Sequence, residues 1–137
     1  MQAEVSCSYL QRIRIQRMQK EPIYLLDYSG VTWKVAGSTQ NLYTVEVSPV
    51  GRITCTCPDH ENHSELACKH ICFVLLKVCK LPDMNKYLKD MILLEDDREF
   101  LVQSMNQGTW RGTNVVSADL TAKFERIAAR VDKQAQP

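Results

Sequence analysis

No stretch of this chain approaches the ~20 consecutive apolar residues that a membrane-spanning helix requires. Met1 to Tyr9 has no basic segment leading into an apolar one, so no secretory signal is expected there. Charge of one sign is missing too: 17 Lys and Arg stand against 16 Asp and Glu, a formal net charge of +1. Bulk electrostatics therefore cannot hold the protein to nucleic acid, and any such binding must come from a local patch. There is no glycine-rich loop of phosphate-binding spacing and no nucleophile paired with a base in a motif. No two carboxylates stand in a convincing catalytic setting. These absences lead to the expectation of a non-catalytic protein. No internal repeat occurs, and the one biased segment is the polar tail from Asp132 to Pro137.

Cysteine, by contrast, is plentiful, with six in 137 residues, enough chain for one modest core. Without an export signal, six thiols point to a reducing intracellular compartment, nuclear or cytoplasmic, where free thiols and zinc thiolates persist. Three of them join a histidine in two tight pairs, Cys55-Thr56-Cys57 and Cys68-Lys69-His70, separated by ten residues. Zinc takes four ligands in a tetrahedron, with sulfur at ~2.3 Å and imidazole nitrogen at ~2.0–2.1 Å. Two pairs joined by a short loop let a bend and a helix start meet at one ion. The C-x-C pair needs a local bend to aim both sulfurs inward, and Pro58 is placed to supply it. The second pair runs into the apolar segment Ile71 to Leu76, which reads as a helix carrying its ligands on the first turn.

Other readings of these residues stand beside that one. Cysteine is a common small buried hydrophobe, and two pairs could form a disulfide in an oxidising compartment. His60 and His63 lie in the intervening polar segment and could compete as ligands. Cys72, one turn beyond Cys68, could replace a ligand or pack beside the site as a buried thiol. The expected ligands are Cys55, Cys57, Cys68 and His70, holding a structural Zn2+. Four protein ligands leave no open position for water or substrate.

The predicted fold is α+β. Glu4 to Lys20 reads as a helix, with Val5, Tyr9, Leu10, Ile13 and Met18 at helical intervals. Pro22 ends it. Arg12, Arg14, Arg17 and Lys20 crowd its second half, either as a phosphate- or partner-binding patch or as a solvated face suited to the helix dipole. Ile23–Tyr28, Val31–Ala36, Leu42–Val47 and Arg52–Cys55 alternate between turn residues and form an antiparallel meander of three or four strands. Pro58 to Ala67 reads as an exposed polar loop in which Asp59, Glu61 and Glu65 are solvated. A core helix follows from Ala67 to Lys80. Asp83 caps a short helix through Met84, Tyr87, Leu88 and Met91, and Glu95-Asp96-Asp97 opens another bearing Phe100, Leu101 and Met105. After Gly108 come an irregular connector, Thr109 to Val116, and a last amphipathic helix capped by Ser117. Leu120, Phe124, Ile127 and Val131 form its stripe. This gives an N-terminal helix over 1–22, a metal module with its following helices over 23–106, and a connector with a C-terminal helix over 107–137.

The arrangement C-x-C then C-x-H resembles the SWIM zinc-finger family. The resemblance spans about Ile13 to Met105, through Ile23-Tyr24-Leu25-Leu26-Asp27, Val35-Ala36-Gly37-Ser38, Val45-Glu46-Val47, Cys55-Thr56-Cys57-Pro58-Asp59 and Cys68-Lys69-His70-Ile71. It is nearest to the SWIM modules that precede a RING finger in some ubiquitin ligases. The resemblance implies zinc at the four matching positions and a module that binds DNA or protein. No Cys or His follows residue 79, so the chain carries no RING of its own. A protein-interaction module, a substrate- or partner-binding piece of a ubiquitin pathway, is one functional expectation. A nucleic-acid-binding finger using Arg12, Arg14, Arg17, Lys20, Lys69 and Arg52 is the alternative.

Overall fold

The computed structural model describes residues 7–37, 41–108 and Trp110. Its architecture is α+β: an N-terminal helix, a four-stranded antiparallel sheet, a Cys/His cluster and then further helices. The sheet has the order β1-β2-β3-β4. β1 spans Tyr24–Ser29, β2 Thr32–Ala36, β3 Leu42–Val47 and β4 Ile53–Cys55. The alternation in the sequence sets which face is buried. Trp33, Val35, Val45, Val47 and Ile53 point into the core, while Lys34, Glu46 and Thr54 lie exposed between them. β3 and β4 pair in the register Val45↔Cys55, Glu46↔Thr54 and Val47↔Ile53. That register fixes the first cysteine of the cluster on the buried face.

The core helix lies against the sheet. It opens as α3, Lys69–Cys72, and continues as π-helical turns over Phe73–Val78. Every residue from His70 to Leu76 is buried, and so is Val78. At ~1.5–3 kcal/mol for each large apolar side chain, this helix is the main source of core burial. The wide turns end where Leu81 N–H reaches the Leu75 carbonyl at 2.7 Å and Lys80 takes a left-handed φ of 55°. The expected start at Ala67 and the expected end at Lys80 are both trimmed. Ala67 is held from outside the helix, and the chain has already reversed at Lys80.

α4, Met84–Asp90, is capped by Asp83, whose carboxylate accepts from Asn85 N–H at 3.0 Å. α5, Glu95–Gln107, carries Glu95, Asp96 and Asp97 in its first turn and ends at Gly108, whose φ of 75° closes the last turn. Leu101 and Met105 are buried, and Phe100 packs against the core from the side. Trp110 is half-buried against Tyr28, and its indole N–H donates to the Met105 carbonyl at 3.1 Å. The expected connector beyond Trp110 and the expected final helix lie outside the described residues.

α1, Tyr9–Lys20, departs most from the sequence reading. Ser8 caps it, with its hydroxyl accepting from Gln11 N–H at 3.3 Å. Cys7 and Ser8 are not helical, so the expected beginning at Glu4 is not met. Of the expected inner face, Met18 is buried and Ile13 half-buried, while Val5 lies outside the described residues. Tyr9 and Leu10 are exposed at 67% and 53%, whereas Gln11, Arg14, Ile15 and Met18 are buried. The spacing of that face is still helical, but half of it is polar. The reason is the surface beneath: α1 lies over bare backbone at Ala67 and a carboxylate at Asp59, and these require hydrogen-bonding side chains.

Candidate metal centre

Four side chains converge below α1. Cys55, Cys57, Cys68 and His70 each offer one ligand atom, all four atoms lie within 4.8 Å of one another, and all four residues are buried. Cys55 closes β4, held by its pairing with Val45. The chain then stays tied to the sheet through Thr56 N–H, which donates to the Thr44 carbonyl at 3.1 Å. Cys57 is the N-cap of α2, Pro58–Asn62, with Pro58 at the first helical position. A proline there fits because its missing N–H has no partner to lose. The bend expected after the C-x-C pair is thus a helix start. Cys57 Sγ accepts from the His60 N–H at 3.4 Å. Cys68 caps α3, and His70 lies in its first turn.

The distances from His70 to two of the thiols suit a tetrahedral ion. Bond lengths of ~2.3 Å to sulfur and ~2.1 Å to nitrogen place ligand atoms about 3.6–3.8 Å apart around a tetrahedron. His70 Nδ1 lies 3.7 Å from Cys55 Sγ and 3.9 Å from Cys68 Sγ. The donor set therefore fits a metal ion, bound through Nδ1 of the imidazole. The opposite ring nitrogen, Nε2, is buried without a hydrogen-bond partner among the described residues.

Three thiols this close cannot all ionise in a buried site without a cation. Cys57 is driven well below the usual thiol range, chiefly by hydrogen bonds from Cys55 and Cys68. Cys55, as a donor to Cys57, is pushed up to about 12. Cys68 is pushed up further, first by burial and then by its contacts with the other two thiols. Neighbouring thiols thus oppose one another's ionisation, and a cation bound among them would displace their protons.

The surroundings correct several expectations. Pro58 to Ala67 is not a uniformly exposed loop. His60, on α2, is buried at 4% exposure, and its Nδ1 bonds to the Leu66 carbonyl at 3.1 Å instead of facing the cluster. His63 is exposed and near Glu65, at 3.7 Å. Asp59 is half-buried and engaged, not left to solvent alone: its two oxygens accept from Arg14 Nε at 2.9 Å and Nη2 at 2.7 Å. Cys72 is fully buried outside the four-residue group, its thiol 3.5 Å from the Ala67 carbonyl.

The expected basic residues separate into two kinds. Arg12, Arg17, Lys20 and Arg52 are exposed. Arg14 is turned inward onto Asp59, and Lys69 Nζ bonds to Glu21 at 2.6 Å. A cavity of ≈ 150 Å³ beside the ligands is walled by Arg14, Arg17, Tyr43 and Lys69.

Two contributors carried no signal in the sequence. Gln11 grips Ala67 from both sides, its Nε2 donating to the Ala67 carbonyl and its Oε1 accepting from the Ala67 N–H, each at 2.8 Å. This fixes the backbone one residue before Cys68. Tyr43 lays its ring against His70, with centroids 4.6 Å apart. No protein-family model, no curated protein and no solved structure matches this chain.

Proposed function

We propose that this chain is a SWIM-type zinc-binding module in which a structural Zn2+ joins Cys55, Cys57, Cys68 and His70, and that the module serves to bind a protein partner. The observation supporting the zinc reading is the convergence of three thiols and one imidazole within 4.8 Å in a buried pocket. Soft thiolates with one imidazole suit zinc among common divalent ions. Bound there, zinc would supply cross-linking of the sheet end to the core helix, with no coordination position left over for substrate. The role is non-catalytic for that reason.

The protein-binding half of the reading rests on the resemblance of the two ligand pairs to the ubiquitin-ligase SWIM modules, and on charge. Of the five cations Arg12, Arg14, Arg17, Lys20 and Lys69, two are engaged by Asp59 and Glu21. A phosphate backbone is held by several free cations acting together, so the nucleic-acid alternative loses part of its patch.

The test is direct. Reduced, purified protein should contain one zinc per chain, and a chelator should remove it together with the native fold. A fully folded, metal-free sample would overturn the zinc reading. Band-shift titrations at low ionic strength should show no complex with DNA or RNA. A salt-sensitive complex would put nucleic acid in place of the protein partner.

A further inference from the structure

A histidine that ligates a metal through one ring nitrogen ordinarily donates its other N–H to a carboxylate, a carbonyl or a water, and that bond orients the ring. His70 breaks this pattern. Its Nδ1 faces Cys55 and Cys68 at 3.7 and 3.9 Å, so Nε2 must carry the proton when Nδ1 binds a metal. Yet Nε2 is buried and has no partner among the described residues. Its neighbourhood is closed on one side by Gly37 at the end of β2, where a Cβ would come within 3.8 Å of Nε2. No side chain or carbonyl of the described residues orients the ring by a hydrogen bond at Nε2, so a contact on its face carries more of that task.

The residue in place to do so is Tyr43. It stands on β3, paired across the sheet with Val35. Its ring lies 4.6 Å from the imidazole, centroid to centroid, at an interplanar angle of 39°. An offset, tilted aromatic contact at this distance restricts rotation of the smaller ring and covers its face from water. The backbone of Tyr43 is fixed by the sheet, so its ring is a rigid support and not an adaptable one. We propose that Tyr43 is a positioning residue for the metal centre: its ring, packed on the face of the His70 imidazole, holds it for ligation through Nδ1.

This inference rests on the proposed metal site, and its test separates the two. Wild type, Tyr43→Phe, Tyr43→Leu and Tyr43→Ala would be loaded with Co2+, followed by its thiolate and ligand-field absorption, and the ion then competed away with a chelator of known affinity. In parallel, ring 15N chemical shifts of His70 would be recorded in the Zn2+-loaded wild type and variants. The phenyl ring of Tyr43→Phe should keep metal affinity within about threefold. Tyr43→Leu retains apolar cover without a flat ring and should lose about 10–100-fold, the range typical of removing a support from a metal-bound histidine. The wild-type spectrum should show metal on Nδ1 and a slowly exchanging proton on Nε2. Metal on Nε2, or equal affinity in wild type and Tyr43→Leu, would overturn the role of Tyr43. If Tyr43→Ala does not fold, the Phe and Leu pair still decides. A wild type that takes up no metal would instead remove the zinc reading itself.

Discussion

Gln11 and Tyr43 show what single residues contribute that a reading of spacing misses. The four cluster residues were legible because few side chains are good metal donors and their intervals are short. Gln11 acts across 56 residues on a backbone amide and carbonyl. Such a role has no local mark, since any glutamine on any helix looks the same until the chain is folded. Arg14 was visible as one of four cations but not as the one turned inward, because the carboxylate it needs lies 45 residues away. Gln11→Ala would leave the Ala67 N–H buried and unmatched, at ~1–3 kcal/mol, and its carbonyl with the weak Cys72 thiol donor alone. The expected loss is about 1–3 kcal/mol in urea unfolding of the metal-loaded protein. Cysteine substitutions should divide sharply. Cys57→Ser should abolish metal binding, while Cys72→Ser should keep one metal per chain and cost about 1 kcal/mol, measured by metal content and by the urea midpoint.

At the scale of elements, the meander and the helix order were readable because alternation and helical spacing report burial. The face of α1 was not, because its seat is polar and apolar periodicity is silent about polar seats. The short α2 escaped for a related reason. Its capping group is a cysteine Sγ and its buried residue is His60, neither of which is a usual helix-start signal. The turn between β3 and β4 was recognised, but not its second duty. Gly51 has φ of 90°, its carbonyl accepts from Leu93 N–H at 2.7 Å, and a Cβ there would collide with the Leu93 carbonyl oxygen. The turn is therefore clasped to the segment between α4 and α5. Gly51→Ala should destabilise the protein by about 2 kcal/mol or more through strain and the lost bond. For a chain of this size that is a fall of roughly 5–10 °C in Tm, readable by circular dichroism.

For the molecule as a whole, the size of the metal term decides the outcome. Structural zinc contributes apparent binding energies of ~10–16 kcal/mol, against a typical total stability of ~5–15 kcal/mol. A fold built around such an ion should not outlast its removal. Its pH response follows from the thiols. The metal-free chain is then unfolded, and its three cluster cysteines are ordinary thiols that hold their protons below ~8.5. Loading must expel about three protons, so binding strengthens as pH rises, by about 1000-fold per unit below ~8. Calorimetry in buffers of differing ionisation enthalpy should count those protons, and acid should release metal and unfold the chain together. A slope near zero would show that the thiols were already ionised. The proposed partner stayed illegible, because its identity depends on surface shape, which no local pattern encodes.

The grip of α1 on Ala67 and Asp59 also bears on where this protein can be cut. A fragment beginning at Pro22 would keep every donor atom and the whole sheet, and would look sufficient on paper. It would nonetheless strip the amide clamp from the residue preceding Cys68 and leave the floor beneath Met18 open to water. Such a truncation should retain metal poorly and precipitate on concentration, so the smallest workable unit is larger than the ligands alone would suggest.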